Sequence, residues 1–137
     1  MDKKKIDWAN IGFGYMQTDV RYVANFKDGA WDEGGLTRDA NITMNECACV
    51  LQYAQTVFEG MKAYTTAGGQ TVCFRPDLNA QRMMDSCQRM RMPVFPKERF
   101  LDAIRQNVKA NIAWVPPYGS GASLYLRPYM FGMDPIL

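Results

Sequence analysis

The alternation of apolar and polar residues in the middle of the chain predicts a β-hairpin. Residues 58–75 read FEGMKAYTTAGGQTVCFR, so a stretch that alternates apolar with polar side chains is followed by β-branched and aromatic residues. Between them, Gly68 and Gly69 supply the positive-φ positions of a tight turn. The predicted return strand ends at Arg75, directly before Pro76, which favours the start of a helix.

Apolar residues at helical spacing predict three helices. The first is expected to begin near Asn45 and to end at Gly60. The second follows Pro76 and ends at Met92, because the residue before a proline disfavours the helical conformation. The third begins at Pro96. The apolar residues of the three predicted faces are, in chain order, Val50, Leu51, Ala54, Val57 and Phe58; Ala80, Met83, Met84, Cys87 and Met90; and Phe100 or Leu101, Ile104, Val108 and Ile112.

The first third of the chain has weaker signals. Residues 1–19 are mixed, and we expect a loop with one short strand there. Residues 20–26 are rich in β-forming side chains, and the Lys-Asp-Gly turn at 27–29 predicts a hairpin that returns through 30–33. Residues 36–44 are expected to be irregular with one short strand.

A final strand is predicted at residues 122–130, which read ASLYLRPYM. Because successive side chains of a strand point to opposite faces, one face would carry polar, aromatic and cationic groups. That face consists of Ser123, Tyr125, Arg127 and Tyr129. Such a surface suits an open binding site better than a core.

Length and composition indicate one compact domain with an ordinary globular core. The chain has 137 residues, 47% hydrophobic and 22% charged, with a net charge of +2. This charge is too small to indicate nucleic acid or an anionic membrane surface as a partner. No apolar run approaches the roughly 20 residues of a membrane span, and no apolar signal core follows the N-terminal lysines. We therefore predict a cytosolic protein.

The absence of histidine restricts the chemistry further. Without an imidazole base, Ser-His-Asp and Cys-His catalysis by this chain alone are excluded. The four cysteines lack the spacing and the histidine partners of a zinc site, so no metal site is predicted. We interpret Cys47, Cys49, Cys73 and Cys87 as buried thiols rather than a disulfide framework.

Arg75 has two interpretations at this stage. An arginine fixed between a strand and a helix can present its planar guanidinium to an anion beside the N–H groups of the helix. Arginines more often stay solvated, and a surface ion pair is the interpretation that residue spacing alone favours.

Several motifs together resemble the branched-chain amino-acid aminotransferases, pyridoxal-phosphate enzymes of fold type IV. They are Gly12-Phe13-Gly14 with Thr18-Asp19, LQYAQTVFEGMKAY at 51–64, FRPDLNAQRM at 74–83, WVPP at 114–117 and SLYLRP at 123–128. This resemblance implies that residues 1–137 are a single N-terminal small domain, an α+β unit in which an antiparallel sheet packs with about three helices. It also implies a homodimer in the full-length form.

The resemblance also implies roles for individual residues. Arg75 would bind the phosphate of the pyridoxal 5'-phosphate cofactor, and Phe58, Tyr125 and Arg127 would line or order the substrate pocket. Tyr53 would lie at the pocket edge and reach the site of the neighbouring subunit.

Three positions depart from the family pattern. Gln17 replaces an aromatic residue, and Gln52 and Ala54 flank Tyr53 in place of histidine and glycine. We interpret these differences as tuning of the pocket.

The implied reaction transfers the amino group of leucine, isoleucine or valine to 2-oxoglutarate. It requires a lysine that forms a Schiff base with the cofactor, which in this family belongs to a C-terminal domain beyond Leu137. The chain has seven lysines, and we expect all of them in termini, loops or helix surfaces: Lys3, Lys4, Lys5, Lys27, Lys62, Lys97 and Lys109. The 137 residues are therefore predicted to be a fragment that is inactive alone.

Four alternatives remain open from the sequence, one of which is an anion-binding module that uses Arg75 and Arg127. A D-amino-acid aminotransferase and an aminodeoxychorismate lyase share the same architecture, although the SLYLRP and WVPP motifs favour the branched-chain enzymes. A non-catalytic interaction domain would keep the fold without the chemistry.

Overall fold

Short antiparallel strands and three α-helices make up the structure, a computed structural model that describes residues 1–136. The strands in this part are β1 (Arg21–Val23), β2 (Phe26–Lys27), β3 (Ala30–Trp31), β4 (Gly35–Thr37), β5 (Thr56–Phe58), β6 (Met61–Thr65), β7 (Thr71–Cys73), β8 (Leu124–Leu126) and β9 (Tyr129–Phe131). The helices are α1 (Cys49–Tyr53), α2 (Pro76–Arg89) and α3 (Lys97–Ala110), and short 3-10 helices span Trp8–Asn10 and Ile112–Trp114.

The strands form four small sheets instead of one continuous sheet. β1 pairs with β4, β2 with β3 and β5 with β9, while β6 lies between β7 and β8. All of these pairings are antiparallel. The predicted α+β class, with antiparallel strands and three helices, is confirmed.

The hairpin predicted from the apolar alternation is the β6–β7 pair. Ala63 lies opposite Cys73, and Thr65 lies opposite Thr71. At the turn, Thr66 N–H donates to the Gln70 carbonyl at 2.8 Å, and Gly69 has a φ of +81°. Glycine adopts this conformation without steric cost, which is why the AGGQ segment folds into the turn. Gly68 does not adopt a positive φ, so the prediction is wrong for this glycine.

The first predicted helix is wrong in its extent. α1 ends at Tyr53, and Ala54 has a left-handed φ of 52°, so the helix stops there. The rest of the predicted helix is the strand β5, in which Val57 lies opposite Met130 and is buried. The apolar residues of this segment fit both helical and strand spacing, but their β-branched and aromatic side chains suit a strand. The pairing of β5 with the distant strand β9 stabilises the strand.

The last predicted strand is also wrong, because it is divided in two. β8 pairs with β6, whereas β9 pairs with β5, and Arg127 and Pro128 connect them. Proline has no N–H to donate to a ladder, so the strand is interrupted there. Within β8 the predicted alternation holds, since Leu126 is buried and Tyr125 is exposed.

Helices α2 and α3 begin where the prolines predicted. Pro76 is the first residue of α2, and Pro96 is the N-cap of α3. α2 ends at Arg89, three residues earlier than predicted, and Arg91 has a φ of 56° that breaks the helix. The core lies between these two helices and one face of the strands, and its buried residues are Val57, Met61, Ala63, Ala80, Met83, Cys87, Met92, Phe100, Val108, Val115 and Leu126.

Two smaller predictions in the N-terminal half are wrong. A short strand was expected in residues 1–19, but this segment contains a 3-10 helix and no strand. The Lys4 N–H donates a single backbone hydrogen bond to the Ala113 carbonyl, which does not make a strand pair. Cys47 is exposed, because it lies in a turn in which the Asn45 side chain accepts its N–H. Cys49 and Cys87 are buried and Cys73 is half-buried, and burial raises the pKa of the Cys73 and Cys87 thiols.

No helix within residues 1–136 combines the length and apolar character that crossing a membrane requires.

Trp31 fastens the β2–β3 hairpin to the segment between α2 and α3. Its indole N–H donates to the Val94 carbonyl at 3.0 Å, and its ring meets Phe26 and Phe95 edge-on. We expect Trp31→Phe to lower the free energy of unfolding by about 1 kcal/mol, because the donor is lost while most of the aromatic contact remains. Urea unfolding followed by circular dichroism measures this change. Trp8→Phe is the matched control, and equal effects of the two substitutions would contradict the assignment.

Candidate functional site

The three-stranded sheet has one face in the core and one face open. Along β6, Met61 and Ala63 are buried, whereas the alternate residues Lys62 and Tyr64 are exposed. In β8, Tyr125 is exposed on the same open side as Lys62, its direct partner across the strands. The open face is therefore aromatic and cationic.

Arg127 lies between two of the predicted pocket residues. Its guanidinium carbon is 4.6 Å from the centre of the Phe58 ring and 5.2 Å from that of the Tyr125 ring. Its Nε donates to the Tyr125 hydroxyl at 3.0 Å. Within residues 1–136 its two terminal nitrogens have no acceptor, so they are available to a planar anion such as a carboxylate. The structure thus brings Phe58, Tyr125 and Arg127 together.

Gly60 makes room for this arrangement. A Cβ atom at Gly60 would lie 2.7 Å from the Tyr125 hydroxyl oxygen, closer than real Cβ contacts. The neighbouring Glu59 N–H donates to the Pro128 carbonyl at 2.8 Å. This bond joins the bend between β5 and β6 to the bend between β8 and β9. Only glycine allows Tyr125 to lie across the bend between β5 and β6.

A buried carboxylate, missed by the sequence analysis, anchors the same bend to α2. Glu59 is 7% exposed and accepts from Arg82 Nε at 2.9 Å, from Arg82 Nη2 at 2.6 Å and from the Asn79 amide at 2.8 Å. The Asn79 amide also donates to the Gly60 carbonyl at 3.2 Å. The hydrogen bonds from Arg82 lower the pKa of the Glu59 carboxyl. The available sequence signal was the position of Glu59 between Phe58 and Gly60, where an apolar residue would normally occupy a buried position.

Because the pKa of Glu59 is lower in the folded state, its stabilisation is present above the unfolded pKa and disappears as the pH falls through the folded pKa. We expect Glu59→Gln to reduce the free energy of unfolding by about 1 to 2 kcal/mol at pH 7, a value discounted because Arg82 is largely exposed. The difference from wild type should shrink below about pH 4, near the carboxyl's ordinary pKa. Chemical unfolding at pH 7 and pH 3 measures it. Glu46→Gln, at an exposed position, should show no such pH dependence; a constant difference for Glu59→Gln would contradict the ion pair.

Arg75 occupies the junction predicted for it. It is the N-cap of α2 with a left-handed φ of 46°, and it follows directly after Phe74 at the end of the hairpin. Its Nε and Nη2 donate to the two carboxylate oxygens of Asp77 at 3.0 and 2.8 Å. This pairing lowers the pKa of Asp77 to about 2. The surface ion pair therefore forms, while the phosphate role of Arg75 stays a prediction.

Tyr53 is the last residue of α1, and its side chain is exposed. Within residues 1–136 it forms no hydrogen bond with Phe58, Tyr125 or Arg127. The structure therefore does not bring Tyr53 together with Phe58, Tyr125 and Arg127, and the contact of Tyr53 with a neighbouring subunit stays a prediction.

Lys62 is the second feature of the site that the sequence analysis missed. It lies on strand β6, and Lys27 lies on β2, so the expectation that all lysines lie in termini, loops or helix surfaces is wrong for these two. Lys62 is one of the residues that line an open pocket of about 350 Å³, whose walls also include Tyr64, Phe74 and Tyr125. The strand alternation was the available signal, since Lys62 takes the polar position between two apolar residues.

Sequence comparison connects this chain with known enzymes. It is 48% identical over 130 residues to the branched-chain-amino-acid aminotransferase of Haemophilus influenzae, and 45% identical over 130 residues to that of Helicobacter pylori. The chain is homologous to branched-chain aminotransferases. Each alignment covers 95% of the chain but 38% of the relative, so the chain spans less than two fifths of the length of these aminotransferases. A methionine aminotransferase of Arabidopsis thaliana is 41% identical over 133 residues, covering 96% of the chain and 37% of that protein. No family model matches the chain.

The fold is also that of branched-chain aminotransferases. The crystal structure of the Escherichia coli enzyme matches with a TM-score of 0.63 and 23% identity, covering 87% of this chain and 34% of that chain. The enzyme of Thermoproteus uzoniensis with norvaline matches with a TM-score of 0.60 and 21% identity, covering 86% of this chain and 35% of that chain. At these identities the two structures show the fold alone.

Proposed function

We propose that this chain is the N-terminal small domain of a branched-chain aminotransferase. The whole enzyme transfers the amino group of leucine, isoleucine or valine to 2-oxoglutarate, and residues 1–137 alone are inactive. The homology to branched-chain aminotransferases supports the reaction class. The observation that carries the site is Arg127, which Phe58 and Tyr125 hold on an open face with two nitrogens available.

The residues of this face fit pyridoxal 5'-phosphate, which combines a planar aromatic ring with a phosphate dianion. Tyr64, Phe74 and Tyr125 provide aromatic walls, and Arg75 follows directly after Phe74. When bound, the cofactor supplies the carbonyl carbon that carries the amino group between the two substrates. Arg75 would hold its phosphate through the guanidinium, as arginine binds phosphate in many proteins.

The remaining roles follow from the chemistry of each side chain. Arg127 would bind a substrate carboxylate through its terminal nitrogens, and its Nε bond to Tyr125 fixes the plane of the guanidinium. Phe58 is 61% exposed and would provide an apolar contact for a branched side chain. Holding the substrate in one orientation is the contribution of these residues to the rate.

Amino-group transfer by the protein expressed from its complete open reading frame and loaded with pyridoxal phosphate tests this proposal. With 2-oxoglutarate as acceptor, we expect leucine to exceed D-alanine at least about tenfold in kcat/KM, a discrimination that a few apolar contacts can supply. A preference for D-alanine would indicate the D-amino-acid aminotransferase alternative. A folded protein that binds no cofactor and transfers no amino group would indicate the non-catalytic interaction domain.

The phosphate contact of Arg75 can be tested separately through cofactor affinity. We expect Arg75→Met in the complete protein to weaken pyridoxal phosphate binding about tenfold, because one charge-assisted contact to the phosphate is lost. Titration of the apoprotein, followed by absorbance, measures this. Arg82→Met is the informative comparison, because the Arg82 side chain is 64% exposed, similar to the 56% of Arg75, and is oriented by a buried acid. If Arg82→Met alone weakens binding, the phosphate contact belongs to Arg82 and the assignment to Arg75 is wrong.

A homodimer and a cytoplasmic location complete the proposal. The exposed Tyr53 at the end of α1 supports a role at a subunit boundary. Analytical ultracentrifugation of the complete protein tests the dimer, and a monomer at working concentration with full activity would contradict it.

A further inference from the structure

Asn79 joins the first turn of α2 to the bend between β5 and β6 through both hydrogens of its amide. The side chain is 8% exposed, and its nitrogen donates to the Glu59 carboxylate at 2.8 Å and to the Gly60 carbonyl at 3.2 Å. A primary amide has two N–H donors, so these two bonds occupy both of them. One residue of α2 therefore holds the bend at its side chain and at its backbone, and it has no hydrogen left for a ligand.

Arg82 binds the same carboxylate from the next turn of the helix. Residues three apart lie on one face of a helix, and Nε and Nη2 of Arg82 donate to the two oxygens of Glu59 at 2.9 and 2.6 Å. Together with the bond from Asn79, these contacts hold the carboxylate from two consecutive turns. Arg75 lies at the N-terminal end of this helix, four residues before Asn79. The carboxylate thus sets the distance between the bend and the start of α2.

The backbone of Glu59 connects the bend to the segment that carries Arg127. Its N–H donates to the Pro128 carbonyl at 2.8 Å, and Phe58 lies opposite Tyr129 in the β5–β9 pair. A displacement of the bend would therefore move Phe58 and Arg127 together. The Phe58 side chain is 61% exposed, so packing in the core cannot hold its ring in place. The polar contacts with α2 supply that restraint.

We propose that Asn79 and Glu59 are positioning residues that hold the substrate contacts at a fixed distance from the cofactor contact. This inference rests on the proposed function, in which Phe58 and Arg127 contact the substrate and Arg75 contacts the cofactor phosphate. Neither positioning residue gives or takes a proton in the reaction, because the Asn79 donors and the Glu59 oxygens are used within the protein. They restrict the motion of the bend, which keeps the substrate aligned with the cofactor.

Asn79→Leu in the complete, cofactor-loaded protein tests this positioning role. The introduced side chain keeps the branched shape of asparagine and suits a helix, but it donates to neither Glu59 nor Gly60. We expect KM for the substrate leucine to rise about tenfold and kcat to fall less than about threefold, because Phe58 and Arg127 contact parts of the substrate that do not react. The Kd for pyridoxal phosphate should change less than about threefold, since α2 stays packed on the core.

Two further variants distinguish positioning from a general loss of stability. Trp31→Phe should lose a similar amount of stability but keep the wild-type KM, because Trp31 binds the segment between α2 and α3 instead of the open face. Glu59→Gln breaks the Asn79 contact from the other side and should raise KM for leucine about fivefold. Because both substitutions break one contact, the double variant should resemble the more severe single variant. Equal KM values in Asn79→Leu and Trp31→Phe, or KM effects that multiply in the double variant, would overturn the proposal.

Hydrogen exchange measured by NMR separates this inference from the proposed function, because it needs no turnover. The Glu59 amide is bonded to the Pro128 carbonyl, so its exchange rate reports how often the bend leaves the β8–β9 connection. We expect Asn79→Leu to exchange this amide at least about tenfold faster than wild type and Trp31→Phe, with the Thr66 amide of the β6–β7 turn unchanged. If the wild-type protein transfers no amino group, the proposed function fails, yet faster exchange at Glu59 still supports the positioning role. Unchanged exchange in Asn79→Leu would overturn that role even in an active aminotransferase.

Discussion

Arg127→Met in the complete protein should lower kcat/KM for 2-oxoglutarate about 100-fold, equivalent to about 2.7 kcal/mol of lost transition-state binding. The methionine keeps much of the apolar contact with Phe58 and Tyr125, but it removes the two terminal nitrogens that face the open side. Most of the loss should appear in KM, because the lost contact binds a part of the substrate that does not react. Steady-state kinetics with leucine and 2-oxoglutarate measures both constants.

Two controls define the meaning of this result. Arg127→Lys keeps the charge but loses the planar guanidinium and its bond to the Tyr125 hydroxyl, so we expect an intermediate loss of about tenfold. Thermal unfolding of Arg127→Met should stay close to wild type, because the guanidinium lies on the open face. An Arg127→Met enzyme with wild-type KM and kcat would show that the carboxylate binds elsewhere.

Gly60→Ala should impair the site more than its size suggests. The added Cβ would lie 2.7 Å from the Tyr125 hydroxyl oxygen, so the end of the tyrosine must move. Arg127 loses its Nε acceptor when Tyr125 moves, and we expect KM for 2-oxoglutarate to rise about 10- to 100-fold, because a small displacement of a positioning group has a large effect on binding. The stability loss should stay near 1 kcal/mol, because a flexible side-chain end moves and the backbone does not.

Gly68→Ala is the matched control for this substitution. A Cβ at Gly68 would meet only the Thr66 hydroxyl, at 3.9 Å, so the added methyl has space. We expect wild-type kinetics for Gly68→Ala, measured in the same assay. If Gly60→Ala and Gly68→Ala behave alike, Tyr125 does not depend on the glycine for its position.

The parts of the fold that depend on local signals were predictable from the sequence. The β6–β7 hairpin has its turn glycines and its alternation within one short segment, and α2 and α3 begin at prolines. β5 was mistaken for helix because its apolar residues fit both periods. Its partner β9 lies more than 70 residues further along the chain, and a single sequence carries no direct signal of that pairing.

The sequence predicted several residues of the candidate site but not the contacts between them. Motif resemblance named Phe58, Tyr125 and Arg127, and the structure brings these three together. It could not indicate that Arg75 pairs with Asp77, since that contact depends on the left-handed backbone at the helix start. Nor could it indicate the Glu59 bonds to Arg82 and Asn79, because the whole β6–β7 hairpin lies between Glu59 and α2, and these residues meet only after folding.

The interruption at Pro128 has a mechanical consequence for the whole face. The residues on either side of Arg127 and Pro128 belong to different sheets, one through β6 and the other through β5. Arg127 therefore lies in a short connection whose two ends, β8 and β9, are each paired in a different sheet. If one sheet frays, the pairing of the other strand still holds this connection in place. If β8 or β9 shifted its register by one residue, the side chains of the connection would move to the opposite face. The Arg127 guanidinium would then point toward the core, and a buried charge is unfavourable. Pairing with two different sheets thus fixes the strand register and keeps the Arg127 guanidinium on the open face.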